Sequence, residues 1–311
     1  MQLLTRIGCQ VAVAVGLTLS VSIAAEAANT NISIPGERLV TESITSTSDG
    51  VLYIGSLGAR AIFRAKTTDA KAESWVQPPM EQTQGIYGVF ADERSNTLYA
   101  CVSGFGGPGA AELLTLDLKS GKLKARYPFS STGGLCNDIA TGADGTAYVT
   151  DSRNMEVLRL QPKGKALEKW IGDGVFGPKG GVLDGISVLG NRVLVNTLTT
   201  NKLFSVPIES DGRAGKAAEV KLDRAIAAPD GMRSLGANGL LLAESDGGRV
   251  SRIDLSGDTG KVTTLQEGFP SGPVSATLVG SNVYVVDAQF GALRSNELKP
   301  FEVVVFALPK K

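Results

Sequence analysis

The sequence contains no histidine among its 311 residues. This absence excludes a Ser-His-Asp or Cys-His catalytic centre, a histidine general base and the usual histidine-rich zinc and iron sites. An enzyme with this composition must move protons with carboxylates or with a bound metal ion. An excess of charge is also lacking, because 31 Lys and Arg balance 31 Asp and Glu. We therefore expect a small or neutral partner and no binding to nucleic acid.

Long apolar runs are equally scarce. The run over residues 11–25 lies between Arg6 and the small-residue sequence Ala25-Glu26-Ala27, an order typical of a secretory signal peptide. It is too short and too interrupted for a membrane span. The sequence thus predicts a signal peptide over residues 1–27 and an exported protein, periplasmic or secreted. A single domain over residues 28–311, without a membrane span, would follow. An uncleaved anchor is the alternative.

Cysteine is rare as well. Cys9 belongs to the predicted signal peptide, which leaves Cys101 and Cys136. In an oxidising compartment such a pair can form a disulfide. Two buried free thiols explain the pair equally well, because free cysteine is among the most buried residue types. Neither cysteine has a sequence context that indicates catalysis.

The sequence does contain a repeated β-hairpin. Its clearest copy, GLCNDIATGADGTAYVTDS at residues 134–152, has two β-type runs joined by Asp144-Gly145. The copies begin at Glu42, Tyr87, Asn137, Asp184, Asp230 and Val274, which lie 45, 50, 47, 46 and 44 residues apart. Short strands repeating at this period indicate the blades of a propeller. The sequence therefore predicts an all-β fold, a six-bladed β-propeller.

Further strands complete this prediction. Each hairpin is followed by a third strand and a weaker fourth one, such as residues 218–221 in the fourth repeat. Residues 31–34 are predicted to close the ring as the outer strand of blade 6, beside residues 301–308, because an open sheet edge would leave backbone groups unpaired. Helix signals are nearly absent. Longer loops are expected at residues 104–111, 172–182 and 290–299, where they could cover the channel or merely connect strands.

The first residue of each hairpin is the candidate site. Inner strands line the channel of a propeller, so equivalent residues are expected at one height. Four of the six carry oxygen ligands: Glu42, Asn137, Asp184 and Asp230. Three carboxylates and an amide in one ring are costly unless a cation neutralises them. We predict a divalent cation bound by these four residues. Ca²⁺ suits such donors best, and Mn²⁺, Mg²⁺ and Zn²⁺ are alternatives.

Turn chemistry is the competing explanation for Asp184 and Asp230, because both precede glycine. It does not explain Glu42 or Asn137. Residues that end the second strands, namely Asp151, Asn196, Glu244 and Asp287, are secondary candidates. They could instead cap the strand ends by bonding to nearby backbone.

The hairpin sequences ESITSTSDGVLYIGS, NDIATGADGTAYVTDS, LDGISVLGNRVLVNT and PDGMRSLGANGLLLAES resemble those of one family. It is the family of senescence marker protein, gluconolactonase and luciferin-regenerating enzyme, six-bladed propellers related to diisopropyl fluorophosphatase and paraoxonase. The resemblance implies a channel metal, often calcium, held by Glu42, Asn137, Asp184 and Asp230. It also implies hydrolysis of lactones or phosphorus esters, with Asp230 as the catalytic base. Sugar-lactone members carry Arg where this chain has Leu135.

We therefore expect an exported, metal-dependent hydrolase of lactones or related esters that acts as a monomer. Tyr87, Leu135 and Asn137 are predicted to bind the substrate. A cavity lined by Leu135, Tyr87 and either Phe105 or Phe290 would suit a smaller or more apolar ester than a polyhydroxy sugar. A non-catalytic binding propeller of the NHL type, with a structural metal, is the alternative. A propeller enzyme without a metal cage, like strictosidine synthase, is a third interpretation.

Overall fold

The computed structural model describes residues 30–105, 109–130, 133–178 and 180–309. Their strands form six sheets that surround a channel, so the fold is the predicted six-bladed β-propeller. The predicted signal peptide, residues 1–27, lies outside the described residues, as do parts of the predicted loops at 104–111 and 172–182. Within the described residues, no helix is long and apolar enough to cross a membrane.

The elements follow the chain in simple order. They are β1 (Ile32–Ser33), β2 (Thr41–Ser46), β3 (Val51–Ser56), β4 (Ala61–Lys66), β5 (Glu73–Val76), β6 (Gln84–Asp92), β7 (Thr97–Gly104), β8 (Glu112–Asp117), β9 (Leu123–Pro128), β10 (Cys136–Thr141), β11 (Ala147–Asp151), β12 (Glu156–Leu160), β13 (Glu168–Ile171), β14 (Leu183–Leu189), β15 (Arg192–Thr197), β16 (Lys202–Pro207), β17 (Ala218–Glu219), β18 (Lys221–Leu222), β19 (Pro229–Ser234), β20 (Gly239–Glu244), β21 (Arg249–Ser256), β22 (Thr259–Glu267), β23 (Pro273–Val279), β24 (Asn282–Asp287), α1 (Phe290–Ser295) and β25 (Glu302–Ala307). Blades 1 to 4 are β2–β5, β6–β9, β10–β13 and β14–β17. Blade 5 is β19–β22 with β18, and blade 6 is β23–β25 with β1.

The ring is closed by its N-terminal strand, as predicted. Strand β1 is the outermost strand of blade 6 and pairs antiparallel with β25, with Ile32 opposite Val303. Ser33 also reaches blade 1, because its carbonyl accepts a hydrogen bond from the N–H of Ala72 at 2.8 Å. The first described strand therefore ties the last blade to the first one.

The core is divided between the blades. In the described residues, six apolar clusters fill the six spaces between neighbouring sheets. Successive residues of a strand point to opposite faces of its sheet. Ile54 of β3 accordingly packs between blades 6 and 1, and Tyr53 packs between blades 1 and 2. Because both faces of each blade are buried, the strands are apolar along most of their length.

Two details differ from the sequence prediction. Residues 218–221 do not form one fourth strand, since β17 pairs with β16 of blade 4 whereas β18 pairs in parallel with β22 of blade 5. The predicted loop over residues 290–299 contains the short helix α1.

A disulfide joins Cys101 of blade 2 to Cys136 of blade 3, which decides between the two alternatives for this pair.

Candidate functional site

Every inner strand carries the same irregularity at the first residue of its hairpin, which we call the ring position. In blade 3, Cys136 pairs with Asp151 and Ile139 with Val149, so three steps along β10 match two along β11. The inner strands of the other five blades show the same one-residue excess. Such a β-bulge changes the direction of the side chains within it. The bulges bring four of the ring side chains, those of Glu42, Asn137, Asp184 and Asp230, to one central cavity.

Glycines next to the ring positions let the inner strands approach closely. A Cβ atom on Gly185 would lie 2.3 Å from the carbonyl oxygen of Asp230, and one on Gly88 would lie 2.2 Å from that of Asn137. Gly185 and Gly231 are inside strands and have no positive φ. Turn chemistry therefore does not account for the two Asp-Gly pairs. The glycines are required because the inner strands of blades 2, 4 and 5 pack at these positions against the backbone of the next inner strand.

The central cavity is small and acidic. Its volume is about 10 Å³, which is room for about one water-sized occupant. The residues that line it are Glu42, Ser43, Gly88, Asn137, Asp138, Asp184, Asp230, Gly231 and Ser275. Asp184 and Asp230 are 6% and 8% exposed. The Oε2 atom of Glu42 is buried and has no hydrogen-bond partner among the described residues.

The carboxyl groups of the cavity disturb one another. Burial, followed by the charges of Asp184 and Asp138, raises the pKa of Glu42 well above its usual value. Burial and the charges of Asp184 and Glu42 do the same to the pKa of Asp230. Burial and Asp138 raise the pKa of Asp184 to about 7, although hydrogen bonds with Asn137 and Asp230 oppose the rise. The three ring carboxyls thus lack a positive partner that would favour their ionised forms.

The donor set fits a hard divalent cation by its chemistry. Carboxylate and amide oxygens are the ligands that Ca²⁺ and Mg²⁺ prefer, and the unpartnered Oε2 of Glu42 has an acceptor site to offer. Among the described residues, no three His, Cys, Asp or Glu side chains are grouped closely enough to hold a metal ion as they stand. Burial and mutual repulsion favour the protonated forms of Asp184 and Asp230. A cation would therefore have to displace protons when it binds.

Two asparagines fix the ring. Asn137 donates from Nδ2 to the hydroxyl of Ser152 at 3.0 Å. Asn196, a secondary candidate, donates from Nδ2 to the carbonyl oxygen of Asp230 at 2.7 Å and accepts from the N–H of Gly185 at 3.1 Å. Asn196 therefore links the inner strands of blades 4 and 5 through backbone groups on both.

The other two predicted substrate residues do not line the central cavity. Tyr87 and Leu135 are half-buried and do not line it. The Tyr87 hydroxyl donates to the carbonyl oxygen of Gly104 at 3.0 Å. Burial and the charge of Glu42 raise the pKa of Tyr87 to about 12, although the charge of Arg153 opposes this, so the phenol stays protonated at neutral pH. Phe105 and Phe290 pack against the apolar cluster between blades 6 and 1.

The remaining strand-end candidates have structural partners. Asp151 accepts hydrogen bonds from the N–H groups of Leu135, at 3.0 Å, and Asn154, at 3.3 Å. Asp287 accepts one from the N–H of Gln289 at 2.7 Å. Both residues therefore act as strand-end caps. Burial raises the pKa of Asp287 to about 6.

Glu244 is the core of a separate ion-pair cluster in blade 5. Its carboxylate is fully buried and accepts from Arg224 and Arg249, each at 2.8 Å. Burial alone would raise its pKa, but the hydrogen bonds from Arg249, Arg224 and Ser251 outweigh this and lower the pKa to about 2. The cluster holds its own positive charges and offers no acceptor to a cation.

Sequence reasoning missed two charged residues of the channel. Asp138 follows Asn137 and lines the central cavity. Arg233 of β19 is 7% exposed and forms an ion pair with Asp138 at 2.8 Å. The signal available in the sequence was an arginine three residues after Asp230 on a predicted inner strand. A charged side chain buried there needs a partner from another blade.

Comparison with known proteins supports the fold. No protein-family model matches the sequence, and no curated protein matches it significantly. Among solved structures, a gluconolactonase from Xanthomonas campestris is similar with a TM-score of 0.61 and 14% identity, over 90% of this chain and 87% of that one. Regucalcin, a calcium-binding protein from Agrobacterium tumefaciens, is similar with a TM-score of 0.63 and 15% identity, over 90% and 96% of the chains. A luciferin-regenerating enzyme is similar with a TM-score of 0.63 and 12% identity, over 87% and 92%. These propellers are of the kinds that the hairpin sequences resemble.

Proposed function

We propose that this chain is an exported hydrolase of lactones or related esters that depends on one divalent cation, Ca²⁺ in the first place. Glu42, Asn137, Asp184 and Asp230 would bind the cation. The similarity in fold to a gluconolactonase and to calcium-binding regucalcin supports the proposal. The exported state rests on the sequence of residues 1–27 and is tested by N-terminal sequencing, which should find Ala28 first in the mature chain.

One observation carries the proposal. Six matching bulges and the close packing of the inner strands deliver carboxyl groups from three blades and an amide from a fourth to one cavity. No neighbouring positive side chain is bonded to Glu42, Asp184 or Asp230 in the described structure. Burying several acids without compensation is costly. A bound cation would remove that cost.

The cation and the residues of the chain would have different roles in ester hydrolysis. A bound divalent cation would polarise the carbonyl group of an ester and stabilise negative charge on its oxygen. Asp230 is placed to act as the general base towards a water molecule. Its backbone is held by Asn196, and its Oδ1 accepts the N–H of Gly231 at 2.9 Å.

The substrate would approach past Tyr87 and Leu135. Leu135 gives no charge or hydrogen bond from its side chain, so hydroxyl groups of a sugar would have no partner there. The protonated hydroxyl of Tyr87 already donates to Gly104. We therefore propose a small or moderately apolar lactone or ester, bound by a monomer.

The test is metal removal and replacement. The mature protein is treated with a chelator and assayed on a panel of lactones and aryl esters, with Ca²⁺, Mn²⁺, Mg²⁺ or Zn²⁺ returned one at a time. Cation binding is measured in parallel by calorimetry. We expect binding of one cation per chain and turnover that requires it. Binding without turnover on any substrate would favour the non-catalytic propeller, and turnover without a metal would contradict the metal-dependent mechanism.

A further inference from the structure

A buried arginine crosses the channel beside the acidic ring. Arg233 lies three residues after Asp230 on β19, and its side chain is 9% exposed. Its Nη1 donates to both carboxylate oxygens of Asp138, at 3.1 and 2.8 Å. Its Nη2 donates to the hydroxyl of Ser43 at 3.2 Å and to the carbonyl oxygen of Val89 at 3.1 Å. One guanidinium group of blade 5 thus contacts blades 1, 2 and 3.

These partners are the neighbours of the candidate ligands. Ser43 follows Glu42 on β2, and Asp138 follows Asn137 on β10. Asp138 also accepts a hydrogen bond through Oδ2 from the N–H of Ile186 at 3.3 Å, on the strand β14 that carries Asp184. Arg233 therefore connects all four strands that supply the ring, three directly and the fourth through Asp138.

The planar guanidinium is suited to this task. Its donors point in fixed directions, so it can hold several acceptors at defined separations, which a lysine cannot do. It also neutralises Asp138, which lines the same cavity as the ring. Asp138 is thereby engaged with Arg233 and is not free to join a cation. The guanidinium also lies over the ring of Phe90, 5.8 Å from its centroid, which limits its movement.

We propose that Arg233 is a positioning residue for the cation site. It sets the separations of Glu42, Asn137, Asp184 and Asp230 by tying their strands together, and it keeps Asp138 out of the ligand set. This inference rests on the proposed function, because it concerns the cation that the function requires. Partners behind metal ligands typically change metal affinity by about 10-fold to 100-fold when they are removed.

Calorimetry with Ca²⁺ on the whole mature protein tests the inference. R233M should lower Ca²⁺ affinity by about 10-fold to 100-fold. R233K should restore part of the loss, because lysine returns the charge without the fork of donors. R249M is the matched control: it removes a buried ion pair of the same blade, with Glu244, that does not touch the ring. It should leave Ca²⁺ affinity unchanged.

A double variant separates positioning from folding. R233M leaves the Asp138 carboxylate buried without its partner and should lower the unfolding temperature. D138N/R233M removes that unpaired charge, so the unfolding temperature should recover while Ca²⁺ affinity stays weak. If R233M fails to fold, R233K and the double variant decide the question alone.

The possible results are distinguishable. A wild-type protein that binds no divalent cation would overturn the proposed function and this inference with it. Wild-type binding together with equal or tighter binding by R233M would overturn the inference alone. Full affinity in D138N/R233M would also overturn it, because Arg233 would then serve only to neutralise Asp138.

Discussion

Two groups of buried carboxylates in this propeller have opposite surroundings. In blade 5, Glu244 is held by Arg224 and Arg249, and these contacts lower its pKa to about 2 against the effect of burial. In the channel, burial and mutual repulsion raise the pKa of Asp184 to about 7, and the pKa of Glu42 and of Asp230 also rises. Both groups lie at one end of the strands that carry them.

The difference separates structure from function. Glu244 has its compensating charges within the chain, so its cluster is complete and stabilises the folded state. The ring acids have no such charges bonded to them in the described residues, because the buried Arg233 beside them is paired with Asp138. Perturbed carboxyls that converge on a cavity are typical of functional sites. The ring is therefore the candidate functional site, whereas the Glu244 cluster is structural.

The largest effect is expected from the ring itself. D230N removes the proposed base and one cation ligand, so kcat for the best lactone or ester should fall by about 10²-fold to 10⁴-fold. D246N, at an exposed aspartate of the turn after β20, is the matched control and should retain full activity. Full activity of D230N would remove Asp230 from the mechanism.

Charge removal should have opposite effects in the two groups. E244Q takes the negative charge from between two arginines, and we expect the free energy of unfolding at pH 7 to fall by about 3 kcal/mol. D184N relieves repulsion in the ring, so the metal-free protein should become more stable by on the order of 1–3 kcal/mol at pH 8. Urea unfolding in the presence of a chelator measures both. If both variants change the free energy of unfolding in the same direction, the contrast between the two groups is contradicted.

The pH dependence should show the same contrast. The pKa of Asp184 is raised from 3.8 to about 7, so its contribution to stability is present below about pH 4 and is lost as pH rises towards 7. The slope would be about 1.4 kcal/mol per pH unit for one group. The pKa of Glu244 is lowered from 4.5 to about 2, so its contribution is present above pH 4.5 and is lost as pH falls.

Variants assign these two pH dependences to their residues. The free energy of unfolding of metal-free protein is measured from pH 2 to 8. D184N should reduce its decrease between pH 4 and 7, and E244Q should reduce its decrease below pH 4.5. Ca²⁺ should raise the unfolding temperature more at pH 8 than at pH 5, because the ring must ionise to bind it. If D184N leaves the pH dependence between pH 4 and 7 unchanged, Asp184 does not titrate in this range.

The smallest effect is expected at an exposed pair. Arg64 and Glu73 form an ion pair at 2.6 Å on the outer strands of blade 1, where Glu73 is 61% exposed. Solvent screens such pairs, so E73Q should change the free energy of unfolding by less than about 1 kcal/mol. An effect as large as that of E244Q would show that burial is not what distinguishes the blade 5 cluster.

The architecture could be predicted from the sequence because it repeats. The period set by residues such as Asn137, Asp184 and Asp230 predicts the number of blades, and the apolar strand at residues 301–308 predicts the closure by β1. The same alignment identified the four residues that meet at the cavity. Whether they bind a cation, and whether Asp230 is the base, are still predictions.

Other features depend on tertiary contacts that no local pattern contains. The bulges are one-residue excesses that leave the period unchanged, so only the register of paired strands reveals them. Arg233 has partners 95, 144 and 190 residues away. The division of β17 and β18 between two blades depends on which outer strand offers a free edge. The disulfide required Cys101 and Cys136 to be adjacent across two blades.

Diffraction from crystals soaked in Mn²⁺ tests the central claim most directly, because manganese scatters anomalously and its position needs no interpretation of solvent density. We predict one anomalous peak in the channel, bounded by oxygen atoms of Glu42, Asn137, Asp184 and Asp230, with Asp138 still bonded to Arg233. A channel without an anomalous peak in crystals soaked at pH 8 would contradict the account.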